Sequence, residues 1–463
     1  MDSFLDRNYI TKWVYVKGSL VAQSAFMIRD YGSDVSDTAV LRESDALDAK
    51  PYVPGSSLAG ALRDLCKQAG NMGDGLCDKG TISALLGADD DSGNQSYLIV
   101  NEAFMGEGAA LPRTAARDGV ALCEEQRITE KTAKYDYEVV ESGTPLEMRL
   151  EFVIRDKDCP KCSERCELLL ERIAATLTTE GVFLGGKTSR GLGHFKLKQP
   201  EVLILEADDQ ACRQGYVDFT WDDPGFRNLE GLEKTVPLPS PWKSRSYSVE
   251  IPQSLLIRDY NNPDTDADCV MLQATKYGEG DTPLVPGTSW AGLIRGSCRQ
   301  ILYDLGLEKD EVKKMLIEAF GSEYEDVQDI KNTESMKKSS VWFSESMFDA
   351  NTELLRVHRT PIDRFTSGVV KGSFLTEEII AQVKTSLDIR YTEEWMRELI
   401  ELAMVDINDA FNTLGGEVAI GRGICCFSDL SLGEDKDGYI SGLKELSEKL
   451  RDVTRKKGGH DGE

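Results

Sequence analysis

The feature that most constrains this chain is that it says nearly the same thing twice. Ile28-Arg29-Asp30-Tyr31 returns as Ile257-Arg258-Asp259-Tyr260, and PYVPGSSLAG at residues 51–60 returns as PLVPGTSWAG at 283–292. Leu184-Gly185-Gly186, followed by Gly191 and Gly193, returns as Leu414-Gly415-Gly416, followed by Gly421 and Gly423. Three landmarks in one order, each about 230 residues apart, mark an internal duplication. Each copy must therefore bury a core of its own, and 463 residues accommodate two domains of ordinary size.

Each landmark has a local reading. After the Pro-Gly turn, Ser56 or Ser57 (Thr288 or Ser289 in the second copy) is placed to cap a helix by accepting its first backbone N–H groups. Leu58, Leu62 and Leu65, and likewise Trp290, Ile294 and Ile301, recur at helical spacing as an apolar face, with Arg63 and Arg295 at equivalent positions. A second amphipathic helix precedes each glycine loop, with Leu169, Ile173 and Leu177 in one copy and Trp395, Leu399, Leu402 and Phe411 in the other. Alternating strands flank the unit, from Trp13 to Ile28 and from His194 to Leu205.

This order predicts an α+β fold: two tandem ferredoxin-like or RRM-like domains with inserted loops, each an antiparallel sheet with helices on one face. We expect domain one at 1–205, a linker rich in Asp, Pro and Gly at 206–243, domain two at 244–435, and a helix and disordered tail at 436–463.

Charge argues against a broad nucleic-acid footprint, since 54 Lys and Arg against 80 Asp and Glu leave −26. Positive charge must then be concentrated in a groove, with the acidic remainder suppressing non-specific binding. No apolar run is long enough to span a bilayer, and the N-terminus MDSFLDRNYITKW lacks the pattern of a secretory signal, so the expected location is cytoplasmic. The odd count of 11 cysteines then favours free thiols or metal ligands over disulfides.

PGSSLAGALR with the downstream GGKTSRGLGHF, and PGTSWAGLIR with GGEVAIGRGICCF, resemble the paired motifs of the RAMP superfamily over most of the chain. The closest resemblance is to a fused tandem backbone subunit of a type III, III-D-like, CRISPR effector. The resemblance implies binding of CRISPR RNA, of complementary target RNA and of other type III effector subunits, with no membrane. A segment bridging the guide RNA is well formed in HRTPIDRFTSGVVKGSFL (358–375) and degraded in QRITEKTAKYDYEVV (126–140), where Ile362-Asp363-Arg364 aligns with Ile128-Thr129-Glu130.

The RNA-facing residues so implied are Arg29, Arg258, Ser56, Ser57, Arg63, Thr288, Ser289 and Arg295, with Arg359, Asp363 and Arg364 from the bridging segment. Gly185, Gly186, Lys187, Arg190, Gly415, Gly416 and Arg422 complete the set, since glycines let backbone N–H groups approach a polyanion. Tight turns and solvated strand-end arginines are the bland alternatives.

Target-cleaving relatives of this kind place a catalytic aspartate in the loop after the first strand. Aligning DYGSDVSDTAVL with DYNNPDTDADCVML points to Asp37 and Asp268, with Asp34, Asp264 and Asp266 as alternates. A divalent metal, Mg or Mn, would assist attack of a ribose 2′-OH on the adjacent phosphate. The alternative is a non-catalytic guide-binding or subunit-bridging RAMP protein.

Cys159, Cys162 and Cys166 fall within eight residues, a spacing that can hold structural zinc if Cys77 or Cys66 supplies a fourth ligand; unliganded thiols are the other reading. The chain has no Gly-Gly-Asp-Asp signature, and three histidines offer no pair for a guide-processing ribonuclease.

Overall fold

The computed structural model describes residues 10–30, 38–44, 46, 48–88, 96–122, 129–155, 160–207, 210–229, 231–259, 266–322, 336–431, 441, 445–446 and 448–449. The first half runs β1 (Ile10–Ala22), β2 (Arg29–Asp30), β3 (Ala39–Val40), α1 (Gly55–Asn71), α2 (Lys79–Leu86), β4 (Leu98–Val100), β5 (Thr114–Leu122), β6 (Thr129–Val140), β7 (Pro145–Arg155), α3 (Pro160–Thr179), β8 (Val182–Phe183), β9 (His194–Glu206), α4 (Gln210–Val217) and β10 (Arg227–Asn228). The second runs β11 (Lys243–Leu255), β12 (Arg258–Asp259), β13 (Cys269–Met271), β14 (Gln273–Thr275), β15 (Asp281–Val285), α5 (Gly287–Asp304), α6 (Lys309–Phe320), β16 (Val341–Phe343), β17 (Ser346–Met347), β18 (Leu355–Arg359), β19 (Leu375–Tyr391), α7 (Glu394–Asn408) and β20 (Cys426–Phe427). The chain is α+β, as its period-two and period-3.6 patterns predict, and the two halves repeat one plan.

Two compact units result. One comprises 1–114, 138–186 and 193–241; the other comprises 115–137, 187–192 and 242–463. The hairpin arm and glycine-loop tip encoded in the first copy thus belong to the second unit.

In the first unit β1 is central, antiparallel to β7 on one side and β9 on the other, in the order β10-β9-β1-β7-β4. Leu58, Leu62 and Cys66 of α1 are fully buried, as are Leu169, Ile173 and Leu177 of α3. The 206–243 stretch carries α4 and β10. Tyr216 stacks on Trp13 at 4.2 Å and Phe219 on Tyr15 at 3.9 Å, and this stretch seals the second face of the sheet. The backbone N–H of Leu238 donates to the Thr176 hydroxyl at 2.8 Å.

In the second unit the sheet order is β12-β13-β19-β11-β20, with β16 and β18 also on β19, and β13 runs parallel to β19. Trp290, Ile294 and Ile301 of α5 pack with Trp395, Leu399 and Leu402 of α7 in one core. The indole N–H of Trp290 donates to Ser346 at 2.9 Å, so burying this large side chain strands no donor. Leu446 of the C-terminal stretch joins that core.

Two local expectations are corrected. Ser56, Ser57, Thr288 and Ser289 cap nothing: α1 and α5 begin one or two residues earlier, at Gly55 and Gly287, behind Pro54 and Pro286, with no side-chain cap. The glycines are needed because a Cβ at Gly55 would stand 2.3 Å from the Val100 carbonyl, and one at Gly287 would stand 2.7 Å from that of Phe343. Phe411 is not on the apolar face of α7, which ends at Asn408; its side chain is 74% exposed.

A Gly423→Ala substitution would place a Cβ 1.9 Å from the Leu414 carbonyl at a residue with φ of 80°. It should destabilise the second unit by about 1–3 kcal/mol or more. A urea unfolding midpoint equal to wild type would refute this.

Candidate nucleic-acid interface

The glycine loops are built identically. Gly186 N–H donates to the Met27 carbonyl at 2.8 Å and Gly193 N–H to that of Ala25 at 2.7 Å; Gly416 and Gly423 do the same to Leu256 and Ser254 at 2.9 and 2.8 Å. Leu184 bonds Gly193 and Leu414 bonds Gly423, both at 2.8 Å. Lys187 and Glu417 take the left-handed conformation at φ 55° and 62°. The expected phosphate cradle is therefore corrected at Gly186 and Gly416, whose N–H groups are spent on the strand end. Gly185 and Gly415 are required because a Cβ would lie 2.2 Å from the Met27 carbonyl and 2.5 Å from that of Leu256.

Pinning the loop to the strand end fixes where Arg29 and Arg258 emerge. In the second unit Ile257, Arg258 and Asp259 form one wall of a cleft, and Pro286, Thr288 and Ser289 at the start of α5 form another. Ala116, Arg117, Asp118 and Tyr137 close it. Two separately predicted motifs thus meet. The first turn of α5 holds no acidic residue and no side chain caps it, so this helix end carries partial positive charge. Arg117 is buried against the Glu345 carboxylate, and burial pushes the Tyr137 phenol above its ordinary pKa, so it remains a neutral hydrogen-bonding group. Neither Arg117 nor Tyr137 stood out in the sequence, because nothing local distinguishes them from other strand residues.

The second copy's remaining arginines are arranged differently from the expectation. Arg359 donates through Nε to Glu377 at 2.9 Å, and Arg422 lies 2.7 Å from Glu417 and also bonds Glu377. Arg258 reaches Glu417 at 3.1 Å, and Arg359 touches it too. Glu377 is fully buried and Arg422 nearly so. Burial by itself would raise the Glu377 carboxyl, yet hydrogen bonds led by Arg359 hold it down to about 2. Arg422 is therefore buried inside this charge cluster and Arg359 is tied into it with its side chain 31% exposed, while Arg258, on the rim, lines the cleft.

The first copy fills the same position with aromatic rings beneath a cation. Phe26 bridges Val140 where Leu255 pairs with Ile380, so Tyr137 occupies the place of Glu377, and Lys187 that of Glu417. Lys187 Nζ sits 3.5 Å over the Tyr137 ring and 2.8 Å from the Tyr135 hydroxyl.

Other candidates separate cleanly. Arg63 donates to the carbonyls of Leu86 and Gly87 at 2.6 and 3.0 Å, closing the end of α2, and Arg295 lies over the Phe320 ring at the end of α6. Arg29, Arg190 and Arg364 are exposed and form no ion pair among the described residues, and Ser56 and Ser57 are exposed. Asp363 is a turn former: its carboxylate accepts from the N–H groups of Thr366 and Phe365 at 2.7 and 3.0 Å, and these bonds lower its pKa.

Asp37, Asp34 and Asp264 lie outside the described residues. Asp268 is exposed, and one carboxylate oxygen accepts from the Thr376 N–H at 2.8 Å. Its neighbour Asp266 is ion-paired with Arg356, which lowers its pKa. The second oxygen of Asp268 is thus the donor available there, which fits an Mg²⁺ that keeps most of its water and draws on a substrate phosphate. Cys159 lies outside the described residues; Cys162 is exposed, while Cys166, Cys77 and Cys66 are buried. Cys166 points its thiol at the Thr81 carbonyl, 3.9 Å away. Among the described residues no three metal-ligating groups stand together.

Two ferredoxin-like halves, each with a Pro-Gly helix start and a strand-pinned glycine loop, define a double RNA-binding-type domain protein. The sequence profile of the RAMP superfamily matches residues 32–196 and 275–426, and the chain belongs to that superfamily, which gives it a CRISPR-associated RNA-binding function. No curated protein matches the chain. No helix among the described residues is long and apolar enough to cross a membrane.

Glu377→Gln should destabilise the second unit by about 3–5 kcal/mol at neutral pH, because two guanidinium groups, those of Arg359 and Arg422, lose a buried counter-charge. The native carboxyl lies below its ordinary 4.5, so its stabilisation is fully present above that value and fades as pH falls toward about 2. Wild-type stability should drop over that window, and the variant's should drop less, in pH-resolved denaturant titrations.

Proposed function

We propose that this chain is a guide-RNA-binding backbone subunit of a type III CRISPR effector ribonucleoprotein, supplying two unequal RNA-binding steps. The observation that carries the reading is the cleft where Arg258, Thr288 and Ser289 meet at an uncapped helix start. Helix N–H groups and a guanidinium are the donors with which proteins hold a sugar-phosphate backbone in register. Arg29, Arg190 and Arg364 add exposed cations, while the net charge of −26 keeps the rest of the surface averse to RNA.

Thr288→Asp with Ser289→Asp tests this. Carboxylates in a first helical turn favour the helix, so lost binding would not reflect lost folding. Affinity for single-stranded RNA by fluorescence anisotropy should fall roughly tenfold or more. Unchanged affinity would remove the cleft from the RNA path.

Cleavage of guide-paired target RNA is a second reading, favoured by the exposed carboxylate of Asp268. Asp37 is its counterpart in the first copy. A bound divalent cation would stabilise charge on the phosphate under attack. Asn at 268 retains an oxygen to accept the Thr376 N–H but carries no charge. Asp268→Asn with Asp37→Asn should leave the melting temperature within a few degrees of wild type and abolish cutting of a matched target. Undiminished cutting would leave the guide-binding, non-catalytic role.

A further inference from the structure

Beside Asp268, three strands of the second unit bring together a histidine, a carboxylate and an arginine from distant parts of the chain. Along the start of β19, β18 pairs on one edge with His358 opposite Thr376 and Arg356 opposite Glu378, and β13 pairs on the other with Cys269 opposite Glu377. The Asp268 N–H donates to the Thr376 carbonyl, and the Thr376 N–H donates to the Asp268 carboxylate, each at 2.8 Å. From the opposite edge the His358 ring reaches the same residue, its Nδ1 lying 3.1 Å from the Thr376 hydroxyl oxygen. Thr376 thus stands between the imidazole and the carboxylate and holds both.

Side chains alternate along a strand, so Glu377 turns inward to the buried charge cluster, while Thr376 and Glu378 share the other face with His358 and Arg356. Arg356 spans that face, ion-paired with Glu378 at 3.0 Å and with Asp266. Phe374 stacks on the imidazole, with ring centroids 5.2 Å apart and 23° between planes, which sets the plane of the ring. His358 itself is exposed, and its Nε2 makes no hydrogen bond among the described residues. An imidazole held by one nitrogen and open at the other is arranged to move a proton.

We propose, on the reading that Asp268 supports cutting of target RNA, that His358 is the general base of that reaction in the second copy. When Nδ1 carries the ring proton and donates it to the Thr376 oxygen, Nε2 presents a lone pair. Nε2 takes the proton of a ribose 2′-OH, and the 2′-oxygen bonds to the adjacent phosphorus. The bond from phosphorus to the 5′-oxygen breaks, and that oxygen leaves with a proton from water. The products are a 2′,3′-cyclic phosphate and a 5′-hydroxyl, and His358 returns its proton to solvent. Imidazole is the side-chain base suited to neutral pH. The chain's other histidines are His194 and His460, so the first copy's bridging segment, 126–140, has none, and the two copies differ in the group that activates the 2′-OH.

Single-turnover cutting of a matched target by the guide-loaded full chain tests this, in an Asp37→Asn background that removes the other candidate centre. That parent should cut and leave 2′,3′-cyclic phosphate ends. His358→Ala should bind the target as the parent does but cut it roughly 100-fold or more slowly, and added imidazole should restore about tenfold of the rate. His358→Asn keeps a donor for the Thr376 hydroxyl and the shape of the strand surface but has no base, so it should be as slow as His358→Ala and gain nothing from imidazole. His358→Asn cutting at the parent's rate, His358→Ala that imidazole does not restore, or products ending in a 3′-hydroxyl would each overturn the proposal. A silent Asp37→Asn parent beside a cutting wild type would overturn it too, while leaving the cleavage reading to the first copy. A wild type that never cuts would remove that reading and His358's role together.

Discussion

Everything recognisable in this molecule hangs on a short backbone ladder in which a glycine loop closes against the end of the first strand of its domain. The carbonyl of Met27, or of Leu256, accepts a loop N–H and leaves no room for a side chain on the neighbouring glycine. One such ladder per copy joins the last helix to the sheet and aims the arginine that follows the strand. Glycine is needed there for clearance and for its left-handed backbone, not as a bare surface for phosphate. The loop therefore acts through what it positions.

Around that common ladder the copies have diverged in charge. A single position holds Tyr137 in one and Glu377 in the other, facing Lys187 and Glu417 respectively. The first pairing places a cation over aromatic rings; the second gathers three arginines around two carboxylates. Such a cluster adds little net stability over an apolar core, yet it is costly to break and admits one arrangement. It also ties Arg359 and Arg422 to internal carboxylates. A strongly acidic protein can thus carry several arginines in its repeated motifs and still spend many of them on internal carboxylates.

The duplication, the α+β plan, the buried faces of α1, α3 and α5 and the two glycine loops were legible because each is local. Spacing along a helix and clearance at a turn are set by residues a few positions apart. Arg63 and Arg295 show the limit: their equivalent placement signalled a shared role, but the Gly87 carbonyl and the Phe320 ring that they meet lie more than 20 residues onward. Capping by Ser56 and Phe411 on the face of α7 failed by two or three residues, where a proline stop or a helix end shifts the frame.

By itself the sequence determined that one RNA-binding-type domain is present twice, and which residues close its turns. Only the tertiary structure decided the partner of each arginine, the convergence of Arg258, Thr288 and Ser289 on one cleft, and the membership of 115–137 and 187–192 in the second unit. The physical reason is reach. Backbone geometry is written in neighbouring residues, whereas a charge takes whichever counter-charge the fold brings within a few ångströms, from however far along the chain.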